Sequence, residues 1–162
     1  MYLLDTPIVL ALRKARAGQA EAGLTAWASD VARERLFLSA ITLVELEAAA
    51  RALRGDKAAG AALRGWVDNQ VVPAFEGHIL PLDATVARRR GEVPIADTRD
   101  ALFAATALEH GLTLATTHKA AFKGARVKLF DPTGYQPSDD DADWRTAARG
   151  GPQWLRSLFI RA

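Results

Sequence analysis

Four acidic residues stand where chemistry on a phosphate could be organised. Asp5 closes the short apolar run Tyr2-Leu3-Leu4, Glu45 lies one turn into the helix expected after a second short strand, and Asp97 and Asp100 open a later helix. In an open α/β sheet, ligands bind beyond the carboxyl ends of the strands, where loops converge near the switch in strand order. Asp5 sits at such an end. If the later helix and the strand after it flank the first strand, the acids can meet despite their separation in sequence. Hard divalent cations such as magnesium take oxygen ligands, usually a few carboxylates, and leave the other positions to water and substrate phosphate. A cation held in this way activates water and stabilises the departing oxygen, which is what hydrolysis of a phosphodiester requires.

Each acid also has a purely structural reading. Thr42-Leu43-Val44-Glu45 fits a capping box, with Glu45 reaching back to a free amide of its own helix. Asp97-Thr98-Arg99-Asp100 makes Asp97 a cap and sets Asp100 favourably against the helix dipole. Asp5 is harder to explain as structure alone, because an acid directly after a buried strand must find a cation or several donors.

The elements that would position these acids follow from periodicity and punctuation. After the first strand, Thr6 can cap a helix whose first turn accommodates Pro7. Leu24, Trp27, Ala28 and Val31 recur at helical spacing between Gly23 and Arg35, and Leu36-Phe37-Leu38-Ser39 reads as a second strand. A helix is expected from about Thr42 to Arg54, and another, marked by Leu63, Trp66, Val67 and Val71, ends by Pro73. Ile79-Leu80-Pro81-Leu82 reads as an edge strand, since proline cannot donate to a central ladder. A short helix over Ala84 to Arg90, a loop from Gly91 to Ala96 and a helix from Thr98 to His110 come next, with Gly111 as a stop signal. Leu112 to Thr116 and Val127 to Phe130 are the last two strands. Short strands alternating with helices predict an α/β domain with a mostly parallel sheet covered on both faces.

Composition bounds the function classes. With 162 residues the chain can bury one core, so a single main domain is expected. No cysteine is present, which excludes a disulfide scaffold, a thiol nucleophile and cysteine-based zinc sites. No apolar run approaches the roughly 20 residues of a membrane span, and Met1 leads directly into the first strand, so a cytoplasmic protein without a membrane partner is expected. A net charge of +2 permits a nucleic-acid partner without predicting one.

The stretches Leu3-Leu4-Asp5-Thr6, Leu38-Ser39-Ala40-Ile41-Thr42-Leu43-Val44-Glu45-Leu46, Ile79-Leu80-Pro81-Leu82-Asp83 and Asp100-Ala101-Leu102-Phe103-Ala104-Ala105-Thr106-Ala107 are followed by His110-Gly111-Leu112-Thr113-Leu114-Ala115-Thr116. In this order and spacing, covering residues 1 to about 132, the chain resembles a PIN domain, and within that group the VapC/FitB toxins of prokaryotic toxin–antitoxin pairs. The resemblance implies a PIN-like α/β fold over 1–135, with a five-stranded, mostly parallel sheet flanked by helices; the change of composition from Pro137 marks a C-terminal extension over 136–162. The resemblance also implies a metal-dependent endoribonuclease, with Mg2+ (or Mn2+ in its place) held by Asp5, Glu45 and Asp100 as metal ligands and catalytic residues. Asp97 does not match the family's third acid and reads as a cap or an outer-shell helper. Thr6 and Thr116 would line the same cleft. The implied partners are an RNA substrate and a VapB-like antitoxin, in a homodimer or a toxin–antitoxin hetero-oligomer.

Two positions depart from the family pattern. Pro7 stands where asparagine is common, and Thr116-Thr117-His118 replaces a Thr-Arg pair followed by Asp or Asn, so a fourth acid is missing. His118 is either a phosphate contact or general acid, or a solvent-facing loop histidine; His78 and His110 read as structural. A catalytically weak or inactive PIN-like module that binds RNA or antitoxin is therefore the main alternative. A phosphatase using Asp5 as nucleophile lacks a second acid beside it and a well-placed lysine, and a dinucleotide-binding enzyme lacks a Gly-rich turn after any strand.

Three surfaces keep two readings each. The stripe Leu46, Ala49, Ala50 and Leu53 is core packing or part of a homodimer face. Arg13, Lys14 and Arg16, the run Arg88-Arg89-Arg90, and Lys119 with Lys123 contact phosphate or lie on solvated faces. The extension joins an acidic loop (Asp139, Asp140, Asp141, Asp143) through Gly150-Gly151-Pro152 to a small amphipathic helix bearing Trp154, Leu155, Leu158 and Phe159, docked on its own domain or against another chain.

Overall fold

A computed structural model describes residues 1–15, 20–137 and 153–158 of the chain. Its centre is a sheet of five short strands: β1 (Tyr2–Leu4), β2 (Leu36–Ser39), β3 (Ile79–Leu80), β4 (Thr113–Ala115) and β5 (Leu129–Phe130). They lie in the order β3-β2-β1-β4-β5. Every neighbouring pair is parallel. The chain builds outward from β1 on one side through β2 and β3, and on the other through β4 and β5. The strand order thus reverses between β1 and β4, and a crevice is expected at their carboxyl ends. Pro81 follows β3, which is an edge strand as its proline requires.

The helices are α1 (Thr6–Lys14), α2 (Ala22–Asp30), α3 (Ala40–Ala52), α4 (Lys57–Trp66), α5 (Val72–Ala74), α6 (Ala84–Gly91), α7 (Thr98–Glu109) and α8 (Gln153–Leu158). A π-helical turn over Val67–Val71 joins α4 to α5, so the helical path continues through Pro73. Gly111 after α7 has φ of 62°, the left-handed conformation its stop signal demands.

Three boundaries differ from the sequence reading, each for a local reason. Asp5 is extended (φ −69°, ψ 149°) and accepts from the Thr6 amide, so it caps α1 and frees the Thr6 hydroxyl. Ser39, also extended, caps α3 through the Ile41 amide, which starts the helix before Thr42 and removes the capping box from Thr42 to Glu45. The predicted helix from Gly23 to Arg35 stops at Asp30, because Val31 turns extended; a 3-10 turn over Arg33–Arg35 then leads into β2.

Side chains alternate across a strand, and the core splits accordingly. Leu4, Leu36, Leu38 and Ala115 face one cluster with α1, α2 and α4, whereas Leu3 and Leu114 face a second with α6 and α7. Leu46 and Ala50 of α3 join the first cluster with Ala49 packed against it, while Leu53 is exposed, so the stripe is mainly core. Helix α8 belongs to that cluster too: Leu155 and Leu158 are buried, and the Trp66 indole donates to the Leu158 carbonyl at 2.6 Å. The described part of the extension therefore docks on its own domain. The acidic loop, Gly150-Gly151-Pro152, Phe159 and Arg16 lie outside the described residues. Among the described residues, no helix is long and apolar enough to cross a membrane.

Candidate active site

Alternation along β1 decides where Asp5 points. Leu4 faces the α1 side, and because Asp5 continues the extended backbone, its side chain turns to the α7 side. Thr116 does the same after Ala115, which is in register with Leu4. The two meet in the crevice between β1 and β4. The Thr116 hydroxyl donates to Asp5 Oδ2 at 2.8 Å, while the Thr6 amide donates to Oδ1 at 2.9 Å. Asp5 is fully buried, and burying a carboxylate is costly unless donors of this kind and a nearby cation offset the lost hydration.

The cation is Arg99. Asp97 caps α7 by accepting from the Asp100 amide at 2.9 Å, which places Arg99 in the first helical turn with its side chain across the crevice. Nη2 reaches Asp5 Oδ1 at 2.5 Å and Nη1 reaches Asp100 Oδ1 at 2.5 Å. Nε donates to Glu45 Oε1, and the other Glu45 oxygen accepts from the Thr6 hydroxyl. One guanidinium thus spends three nitrogens on three carboxylates from β1, α3 and α7. Burial disfavours its charge, but the Glu45 hydrogen bond, the Asp5 charge and the Asp100 hydrogen bond outweigh this and raise its pKa above the usual arginine value. Arg99 also lies over the Phe103 ring, 4.8 Å from its centroid.

Asp5, Glu45 and Asp100 are therefore brought to one place, and Thr6 and Thr116 orient two of them. Asp97 stands behind, as the cap of α7. His118 is exposed: its amide donates to the Thr116 hydroxyl at 3.0 Å, and its imidazole Nδ1 lies 3.2 Å from the Thr117 hydroxyl. Of the other histidines, His78 stacks edgewise on Phe37 and His110 ends α7. The basic groups beyond the crevice have structural partners in part: Arg13 lies over Trp66, and Arg89 pairs with Glu92 and Glu109.

Arg99 is the residue that sequence reasoning missed. Its signal is faint but physical: a cation in the first turn of a helix opposes the macrodipole, and here it sits between two acids. The donor set of three carboxylates with adjacent hydroxyls suits a hard divalent cation. Among the described residues, however, no group of three or more His, Cys, Asp or Glu side chains is arranged to hold a metal ion as it stands. The acids converge on the guanidinium instead.

Comparison with known proteins points to one family. The PIN domain model matches residues 2–127. The chain is 32% identical over 140 residues to Toxin FitB of Neisseria gonorrhoeae, covering 82% of this chain and 98% of that one. It is 29% identical over 140 residues to VapC ribonuclease Y4jK of Sinorhizobium fredii, covering 82% and 97%. In three dimensions it is similar to the crystal structure of FitAcB from Neisseria gonorrhoeae, with a TM-score of 0.72 and 31% identity over 82% of this chain and 98% of that chain. The structure of FitAB bound to an IR36 DNA fragment gives the same TM-score of 0.72 at 29% identity, covering 85% and 99%.

Proposed function

Since this chain belongs to the PIN-domain family, we propose that it is the ribonuclease toxin of a toxin–antitoxin pair, hydrolysing RNA where Asp5, Glu45 and Asp100 meet. The convergence of these three carboxylates at the carboxyl ends of the strands carries the reading. Similarity over most of the chain to a VapC ribonuclease and to Toxin FitB supports it. The same carboxylates would hold Mg2+, or Mn2+ in its place, and their all-oxygen chemistry fits that role. When bound, such an ion supplies Lewis acidity toward water and the scissile phosphate.

The protein's own groups divide the remaining work. Thr116 fixes one oxygen of Asp5 and Thr6 fixes one of Glu45, so two ligands are oriented before any cation arrives. Asp97 holds the first turn of α7 and with it Asp100. The crevice is open enough to leave parts of Glu45 and Asp100 exposed, 26% and 16%, which suits a single-stranded segment of RNA rather than a small enclosed ligand. A VapB-like antitoxin is the proposed protein partner, supported by the likeness to Toxin FitB and to the FitAB structure.

The alternative is a PIN-like module that binds RNA or antitoxin without turnover. Pro7 in the first turn of α1 and the exposed His118 favour it, because neither adds an acid or amide to the crevice. An RNA cleavage assay on antitoxin-free protein separates the two. Cutting that needs Mg2+ or Mn2+, stops with chelator and is abolished by Asp5→Asn sustains the nuclease. Equal inactivity of folded wild type and Asp5→Asn, with RNA still bound, moves the binding module ahead.

A further inference from the structure

The position of Arg99 bears directly on the metal chemistry proposed above. A guanidinium and a divalent cation seek the same carboxylate oxygens, and here the guanidinium already has one from each acid: Asp5 Oδ1, Asp100 Oδ1 and Glu45 Oε1. Its charge is permanent, because a guanidinium is not deprotonated in proteins. The backbone of its helix does not favour it there, because the amino-terminal turn of α7 repels positive charge. The carboxylates, with the Phe103 ring beneath, are what hold it.

We propose that Arg99 is the residue that sets the affinity of this crevice for divalent cations, by occupying the cation's place among Asp5, Glu45 and Asp100 until it is displaced. The inference rests on the metal reading of those three acids and goes a step beyond it. Three carboxylates against one guanidinium leave two negative charges uncompensated, so a divalent ion still gains by entering. Entry nevertheless costs the three charge-assisted hydrogen bonds of Arg99, each a strong contact in a half-buried setting. The side chain is 31% exposed, so it has a route outward without unfolding α7. Displaced, it remains tethered one residue from Asp100 at the rim of the crevice.

The test measures Mn2+ binding rather than turnover. Isothermal titration with MnCl2, and the electron paramagnetic resonance signal of bound Mn2+, are recorded on the full-length chain and on Arg99→Met, Arg99→Lys and Asp5→Asn. Methionine keeps much of the stem and removes every donor. Arg99→Met is expected to bind Mn2+ about tenfold tighter than wild type, which corresponds to about 1.4 kcal/mol. Arg99→Lys should fall between them, because an ammonium keeps the charge but cannot span three carboxylates. Thermal melts give an independent sign: without Mn2+ the methionine variant melts below wild type, and saturating Mn2+ raises its melting temperature by the larger amount.

If wild type binds Mn2+, Asp5→Asn weakens it, and Arg99→Met binds no tighter than wild type, the competition is refuted while the metal reading stands. If neither wild type nor Arg99→Met binds Mn2+, the metal reading fails and the inference fails with it. Should Arg99→Met not fold without metal, the lysine variant decides: affinity equal to or below wild type overturns the proposal.

Discussion

Replacing Thr116 by valine tests how the crevice keeps a buried carboxylate. Asp5 Oδ1 has two donors, the Thr6 amide and Arg99, whereas the hydrogen bond to Oδ2 comes from the Thr116 hydroxyl at 2.8 Å. Both side chains are fully buried, so water does not replace the lost donor without a rearrangement. Valine is nearly isosteric, and the perturbation is therefore electrostatic rather than steric. A hydrogen bond to a charged group is worth about 1.5–3 kcal/mol, and burying a methyl in place of the hydroxyl returns less than about 1 kcal/mol. The His118 amide also loses its acceptor, but it starts an exposed turn and can bond to water. A net loss of about 2 kcal/mol is expected, which for a chain of this size lowers the melting temperature by about 4–8 °C. Urea denaturation followed by circular dichroism at pH 7 measures it, with Thr116→Ser as the control that keeps the hydroxyl and should cost about 1 kcal/mol or less. The reasoning is refuted if the valine variant lies within about 0.5 kcal/mol of wild type, or if serine is as damaging as valine.

Two further perturbations probe the frame around the site. In Gly23→Ala the new Cβ would lie 2.0 Å from the Thr133 carbonyl oxygen, where α2 crosses the turn after β5. The contact is backbone, so relief needs a shift of a whole element; a loss of about 3 kcal/mol and a fall of about 6–12 °C in a thermal melt are expected, and a change under about 2 °C would count against the packing described. Asp83 caps α6, and the Val86 amide and the Thr85 hydroxyl hold its carboxyl below the ordinary aspartate value. A lowered folded pKa gives stability that is complete above the unfolded value of about 3.9 and vanishes as pH falls through the folded one. The penalty of Asp83→Ala in urea denaturation should thus be present at pH 6 and shrink as pH falls below the unfolded aspartate value and through the lowered folded one, and a pH-independent penalty would contradict the capping account.

That Asp5, Glu45, Asp97 and Asp100 could meet is legible in the sequence because they stand at a strand end and in the first turns of two helices; that Asp5, Glu45 and Asp100 form the set, with Asp97 behind, comes from the resemblance to a PIN domain. Thr6 and Thr116 are likewise placed beside the acids by the resemblance, and the structure shows their hydroxyls donating to Glu45 and Asp5. Local pattern fails where two residues offer the same service. Thr42 could cap a helix, but Ser39 stands nearer the strand end and takes the role, which leaves Glu45 free to meet Thr6 and Arg99. Thr6 could cap α1, but Asp5 does so while also facing Thr116. Arg99 was out of reach for a different reason. Its partners come from positions 5, 45 and 100, and only the assembled crevice shows that one side chain can touch all three.

Under the proposed metal-dependent cleavage, that assembly also gives a reason for the cation to precede the RNA. The crevice carries more carboxylate than guanidinium charge, and an RNA phosphate approaching it meets net repulsion over distances shorter than the roughly 8 Å screening length of physiological salt. Arg99 cannot cancel this, because all three of its carboxylate-facing nitrogens are already engaged. A divalent ion in the guanidinium's place would leave one uncompensated negative charge rather than two, and would offer phosphate oxygens coordination positions that a guanidinium lacks. On the proposed metal reading, substrate acceptance would therefore be coupled to cation entry: while Arg99 holds the three acids a cation must compete for them and a phosphate meets the larger repulsion, and displacement of Arg99 by a divalent ion would lower both barriers at once.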